Sequence, residues 1–190
     1  MMAVEDNAVG APSRTTVLKD GSALVLQVAQ AGDTERALAF AQEFCGAATK
    51  AAIRQSLEID PSESATAASP SHCTVLAEII YGKEGAAIQA RPVVGIAHYR
   101  RVGRDSAKLT IEVGKPWRGL GVGKALLREL SGRAAADGVG RFHATFAQTN
   151  APMLALLNKC GLEVRLLHGG AGNWEILLNK RFQSHQGATL

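Results

Sequence analysis

Between Lys108 and Leu130 the chain changes period within a few residues. Leu109, Ile111 and Val113 alternate with Lys108, Thr110 and Glu112, the period-2 pattern of a strand with one apolar face. From Val122 onward, Val122, Ala125, Leu126, Leu130 and Ala134 recur at three- and four-residue steps with Lys124, Arg128, Glu129 and Arg133 between them, which is an amphipathic helix. Arg118-Gly119-Leu120-Gly121-Val122-Gly123-Lys124 joins the two. A strand that enters a helix through a glycine-rich turn aims several backbone N–H groups and the positive end of the helix dipole at one point. The stretch therefore predicts an anion site in an α/β fold.

Two familiar phosphate motifs do not fit this turn. A Walker A loop needs a glycine where Arg118 stands and a Ser or Thr where Ala125 stands. A dinucleotide fingerprint begun at Gly119 or Gly121 needs its last glycine at Lys124 or Leu126. What remains is R-x-x-G-x-G, in which glycines let the backbone close on an anion and Arg118 brings its charge. In this pattern the chain resembles the GNAT superfamily of N-acetyltransferases, whose motif of this form binds the pyrophosphate of acetyl-coenzyme A. A second stretch carries the resemblance independently. Asn150 to Leu162, with Lys159-Cys160-Gly161-Leu162 at its end, is similar to the superfamily's later motif, an Asn after a strand and then a helix closing on Lys-x-Gly-Phe. The resemblance covers roughly Ala23 to Leu178.

The resemblance implies a mixed, mostly antiparallel sheet with a splayed parallel central pair and flanking helices. It implies acetyl-CoA as cosubstrate in the gap. Its pantetheine arm would pair with the backbone near Ile111 and Val113, and its pyrophosphate would meet the N–H groups of Arg118, Gly119, Leu120, Gly121, Val122, Gly123 and Lys124, with Asn150 also at the cofactor. A backbone N–H near Val113 would polarise the thioester carbonyl. The acceptor would be an amine, on a small molecule or a protein, and the resemblance leaves room for a homodimer. The chain departs from the family at Leu157, where many members carry a Tyr as general acid, and at Lys108, where some bacterial lysine acetyltransferases carry a Glu.

Direct attack by an amine needs a base. Glu112 on the central strand and His143 on the next strand are the leading candidates, with His98 and Glu78 behind them. Two classes of function follow: an acetyl-CoA-dependent N-acetyltransferase, or a non-catalytic acetyl-CoA-binding sensor or interaction domain, which Leu157 keeps in play.

Element by element, residues 1–22 are small, polar and unpatterned and read as a loose tail, with one domain over 23–180 and a second tail over 181–190. Strands are expected at Ala23–Ala29, Cys73–Ile80, Val93–Val102, the central strand, Arg141–Ala147, Glu163–Leu167 and Trp174–Leu178. Helices are expected from an Asp33/Thr34 cap to Phe44, over Ala47–Leu57, after the glycine turn to near Gly138, and after Asn150. Pro61–Ser71 is a long loop, placed by the resemblance near the acceptor, and 169–172 is a hairpin turn. A net charge of +4 suits a polyanionic ligand, but aromatics at 5% barely interleave the basic cluster, which argues against nucleic acid. Cys45, Cys73 and Cys160 match neither a disulfide framework nor a zinc pattern, so no metal is expected and the setting reads as reduced and cytoplasmic. The sequence shows no signal-peptide pattern and no apolar run of membrane-spanning length.

Overall fold

The computed structural model describes residues 13–57, 71–80, 91–167 and 172–178. The chain runs β1 (Arg14–Val17), β2 (Ala23–Val28), α1 (Thr34–Phe44), α2 (Ala47–Leu57), β3 (His72–Ile79), β4 (Val93–Arg101), β5 (Ser106–Val113), α3 (Val122–Ala136), β6 (Arg141–Thr145), α4 (Ala151–Lys159), β7 (Glu163–Leu166) and β8 (Asn173–Leu177). The strands form one sheet in the order β1-β2-β3-β4-β5-β6-β8-β7. All neighbours are antiparallel except β5 and β6, which run parallel because α3 carries the chain back across the sheet. This is the architecture that the resemblance implied, with element ends shifted by a residue or two.

The segment read as loose is not loose throughout. Arg14-Thr15-Thr16-Val17 pairs with Leu26 back to Ala23, so the sheet starts well before the boundary expected at Ala23. This edge strand shows no apolar alternation because three of its four residues are exposed, which removes the pattern on which strand reading depends. Residues 1–12, 58–70, 81–90, 168–171 and 179–190 lie outside the described residues, and with them most of the loop expected over Pro61–Ser71 and of the hairpin turn expected over 169–172.

Helices cover both faces. On one, α3 buries Val122, Leu126, Leu127, Leu130 and Ala134 against Val75, Ala97, Leu109, Phe142 and their neighbours. Each fully buried leucine there contributes about 1.5–3 kcal/mol. Gly95 lets α3 come close: a Cβ on it would stand 2.9 Å from Leu126 Cδ1 and 3.2 Å from the Glu112 carbonyl oxygen. On the other face Ala37, Phe40, Ala41, Cys45 and Ile53 pack on Leu76, Val93 and Ile96. Asp33 does not cap α1 with its side chain, as the sequence had suggested. Its carboxylate instead takes the Gln30 N–H at 3.0 Å and the Arg36 guanidinium at 3.0 Å.

Candidate functional site

The parallel pair is short, and that makes the site. Register between β5 and β6 covers only Ser106↔Arg141, Ala107↔Phe142 and Lys108↔His143, after which β6 pairs with β8 alone. On its other side β5 is paired with β4 from Ala107 to Val113. The Gly114 N–H donates to the Val94 carbonyl at 3.0 Å, which sets the phase of this antiparallel ladder. Thr110 and Glu112 then turn their N–H and C=O groups to β4, while Ile111 and Val113 turn theirs to the open side. A gap with strand-pairing groups along one wall follows directly.

The gap leads into the glycine turn. Lys115–Trp117 makes one turn of 3₁₀ helix, braced by Trp117 edge-on to Phe44 at 5.5 Å between centroids. Gly119 and Gly121 then take φ of +82° and +112°, values that side chains disfavour, and Gly121 forms the N-cap of α3. Steric room is not what demands glycine at 121, since a Cβ there would have only Leu18 Cδ2 within reach, at 3.9 Å. The demand comes from backbone conformation. From Gly119 to Lys124 the N–H groups have no hydrogen-bond acceptor among the described residues; the first satisfied one is that of Ala125, to the Gly121 carbonyl at 3.0 Å. Such a row of open donors fits an anion such as a pyrophosphate. Gly123 sits on the groove side, its Cβ direction closed by Leu156 at 3.4 Å and Val113 at 3.6 Å.

Arg118 does not point its charge into this turn. Its Nε donates to the Val113 carbonyl at 2.9 Å, and its Nη2 meets Glu112 Oε1 at 2.8 Å. Two residues expected in separate roles are therefore partners, and the Val113 carbonyl on the gap side is engaged. The pair spans six positions and forms only because the turn folds back on the strand. Lys124 lies exposed at the start of α3. Asn150 uses its side-chain oxygen to accept the Met153 N–H at 3.1 Å, capping α4.

Glu112 and His143 share a face of the sheet, the one that α1 and α2 cover: Glu112 is opposite Ile96 of that core, and His143 is level with Lys108. They are not neighbours. Four residues of strand, about 13 Å, separate the His143 level from Glu112. His143 marks the point where β5 and β6 part, and Glu112 lies beside the turn. The other two candidates are committed elsewhere. Glu78, 1% exposed, receives Arg36 at 2.6 Å and Gln27 at 3.1 Å, two strands away from the gap. His98 is buried with its Nδ1 3.1 Å from Thr74 Oγ1; burial first, and then the nearby His72, push its pKa down to about 4 despite a hydrogen bond with the Cys73 backbone. Leu157 is wholly buried in the main core. All three cysteines are free and buried, with burial pushing the Cys45 thiol up to about 11 and the Cys73 thiol up to about 12. No cluster of three or more His, Cys, Asp or Glu side chains suited to a metal occurs among the described residues. No helix among them is long and apolar enough to cross a membrane.

A sequence profile described as the acetyltransferase (GNAT) family matches residues 45–162, more than half of the chain. The chain belongs to that family. The GNAT fold is also seen in solved structures. The GNAT domain of S. lividans PAT is similar with a TM-score of 0.64 at 18% identity, over 86% of this chain and 94% of that one. PaiA N-acetyltransferase from Thermoplasma acidophilum, solved in complex with coenzyme A, gives 0.57 at 15% identity over 81% and 98%. A cAMP-binding acyltransferase from Mycobacterium smegmatis gives 0.56 at 22% identity, over 88% of this GNAT chain but only 48% of that one. No curated protein sequence matches. The profile match begins after β1 and β2, whereas the structural likeness extends over a larger share of the chain.

Proposed function

We propose that this GNAT chain transfers the acetyl group of acetyl-CoA to an amine, on a small molecule or a protein, by direct attack. The observation that carries this reading is the continuity of two sets of open backbone groups: the N–H and C=O of Ile111 with the N–H of Val113 along the gap, the Val113 C=O being held by Arg118, and the N–H row from Gly119 to Lys124. The first suits an amide-bearing arm laid down as an added strand, and the second suits a pyrophosphate. Acetyl-CoA supplies the activated thioester. The chain supplies a track that orients it, a Val113 N–H turned to the gap where it can polarise a carbonyl, and Glu112 or His143 to accept the amine's proton.

Calorimetry with acetyl-CoA, paired with a screen of amines and peptides read by thiol release, tests this. Gly121→Val forces a branched side chain into φ +112°, so the turn must rearrange and acetyl-CoA affinity should fall more than about tenfold while the fold persists. Unchanged affinity would remove the turn from the site. A second reading, a non-catalytic acetyl-CoA-binding domain, draws on the buried Leu157, which cannot donate a proton to the leaving thiolate. Tight binding with no thiol release across the whole screen would select it.

A further inference from the structure

The glycine turn has a second flank. Gly123 faces Leu156 and Val113 in the groove, whereas the Cβ direction of Gly121 faces Leu18, and there a cleft of about 310 Å³ opens between β1 and α3. Four cations line it: Arg14 from β1, Lys19 just after that strand, and Lys124 and Arg128 one helical turn apart on α3. Behind them the wall is apolar, with Leu18 and Leu26. Among the described residues no carboxylate lines the cleft. Arg14 has Glu129 at 4.0 Å, but Glu129 is already held by Arg133 at 2.8 Å. Lys19, Lys124 and Arg128 make no ion pair among the described residues, and Asp20 beside Lys19 accepts the Ser22 N–H at 3.1 Å. The backbone fixes the arrangement, because the Lys19 N–H donates to the Leu120 carbonyl at 3.2 Å and so ties the β1–β2 turn to the glycine turn.

Like charges gathered around a concave, apolar-backed space repel one another until an anion enters. We propose that this cleft is a second anion site, shaped for a phosphomonoester dianion carried on a small planar or apolar body. Two of its cations, Arg14 and Lys19, come from residues ahead of the profile match at 45–162. Two sources offer that chemistry: the 3′-phosphate of acetyl-CoA itself, in which case the inference rests on the proposed function, or a free phosphorylated metabolite, in which case it does not.

The test compares wild type with Lys19→Gln/Arg128→Gln, and with Lys19→Gln alone as a milder variant, each checked for folding by circular dichroism. The probe is adenosine 3′,5′-bisphosphate, titrated by calorimetry at low and high salt. Wild type should bind it, and the double variant should bind about tenfold or more weakly, with a difference that narrows at high salt. If the cofactor is the source, CoA should outbind 3′-dephospho-CoA in wild type and lose that preference in the variants. If a free metabolite is the source, the bisphosphate should still bind protein saturated with CoA. Equal bisphosphate affinity in folded wild type and variants, or none in wild type, overturns the site. Binding of the bisphosphate without any binding of acetyl-CoA leaves the cleft standing and brings down the proposed function.

Discussion

The two edges of β5 are made from the same eight residues and behave oppositely. Toward β4 the ladder is continuous over seven residue pairs, and toward β6 it stops after three. The first edge is closed, its hydrogen bonds are satisfied and its neighbours are buried; the second turns Ile111 and the Val113 N–H to the gap, with the Val113 carbonyl held by Arg118. One strand thus presents a paired edge and an open one, and the alternation of its backbone groups keeps the two apart. Changes on the closed edge should register in stability, and changes on the open edge in affinity and rate.

The sharpest way to break that division is at the candidate bases. Glu112→Gln should lower the maximal rate by about 100- to 10,000-fold if its carboxylate takes the amine's proton, with acetyl-CoA affinity held, and His143→Ala should be measured beside it. Near-normal rates in both with a confirmed acceptor would assign the proton to solvent. Because Glu112 also pairs with Arg118, an effect in Glu112→Gln that Arg118→Ala reproduces would trace to the ion pair and not to proton transfer.

On the closed side the largest expected effect is on pH-dependent stability. His98 on β4, opposite Thr110, is buried and held neutral, with His72, Arg100 and Thr74 about it. Its pKa is depressed in the folded state, so the unfolded chain takes up this proton first as pH falls. Stability should therefore drop between about pH 6.5 and pH 4, the ordinary and the folded values, by on the order of 3 kcal/mol. His98→Gln keeps a partner for Thr74 and should flatten that decline in urea melts taken across the range. A decline that is equally steep in the variant would place its origin elsewhere.

A smaller change sharpens the contrast further. Gly95→Ala puts a methyl group 2.9 Å from Leu126 Cδ1 and 3.2 Å from both the Glu112 carbonyl oxygen and Val122 Cγ1. The crowding should cost about 1–3 kcal/mol of stability and leave acetyl-CoA affinity within a few-fold. An affinity loss that exceeds the stability loss would mean that α3 packing and the open edge are one unit.

The strand, turn and helix around Arg118 were legible because their periods differ, 2 before the turn and 3.6 after it, and glycines punctuate the change. The parallel direction of β6 followed from the helix between the strands. Other features depend on information that no local pattern holds. Which residues of β5 turn their backbone toward the gap is settled by the phase of the ladder with β4, visible only once Gly114 is seen to donate to Val94. The Glu112–Arg118 pair depends on the path of the intervening 3₁₀ turn. Capping by Asp33 looked sound from its position, but Gln30, Gln27 and Arg36 compete for the same carboxylate. β1 carried one usable sign, the β-branched run Thr15-Thr16-Val17, which edge exposure left without an apolar alternation to support it.

That short edge strand has a consequence for how much sheet edge the chain leaves bare. β3 is buried over seven of its eight residues and pairs on one side with β2, which in turn is shielded by β1. A chain trimmed to the matched family residues would lose both outer strands and leave β3 with a long, apolar, unpaired edge, a template for strand addition by another molecule. With β1 in place the described sheet ends instead on a border of only four residues, Arg14, Thr15, Thr16 and Val17, a far shorter run of backbone than the edge of β3 would be.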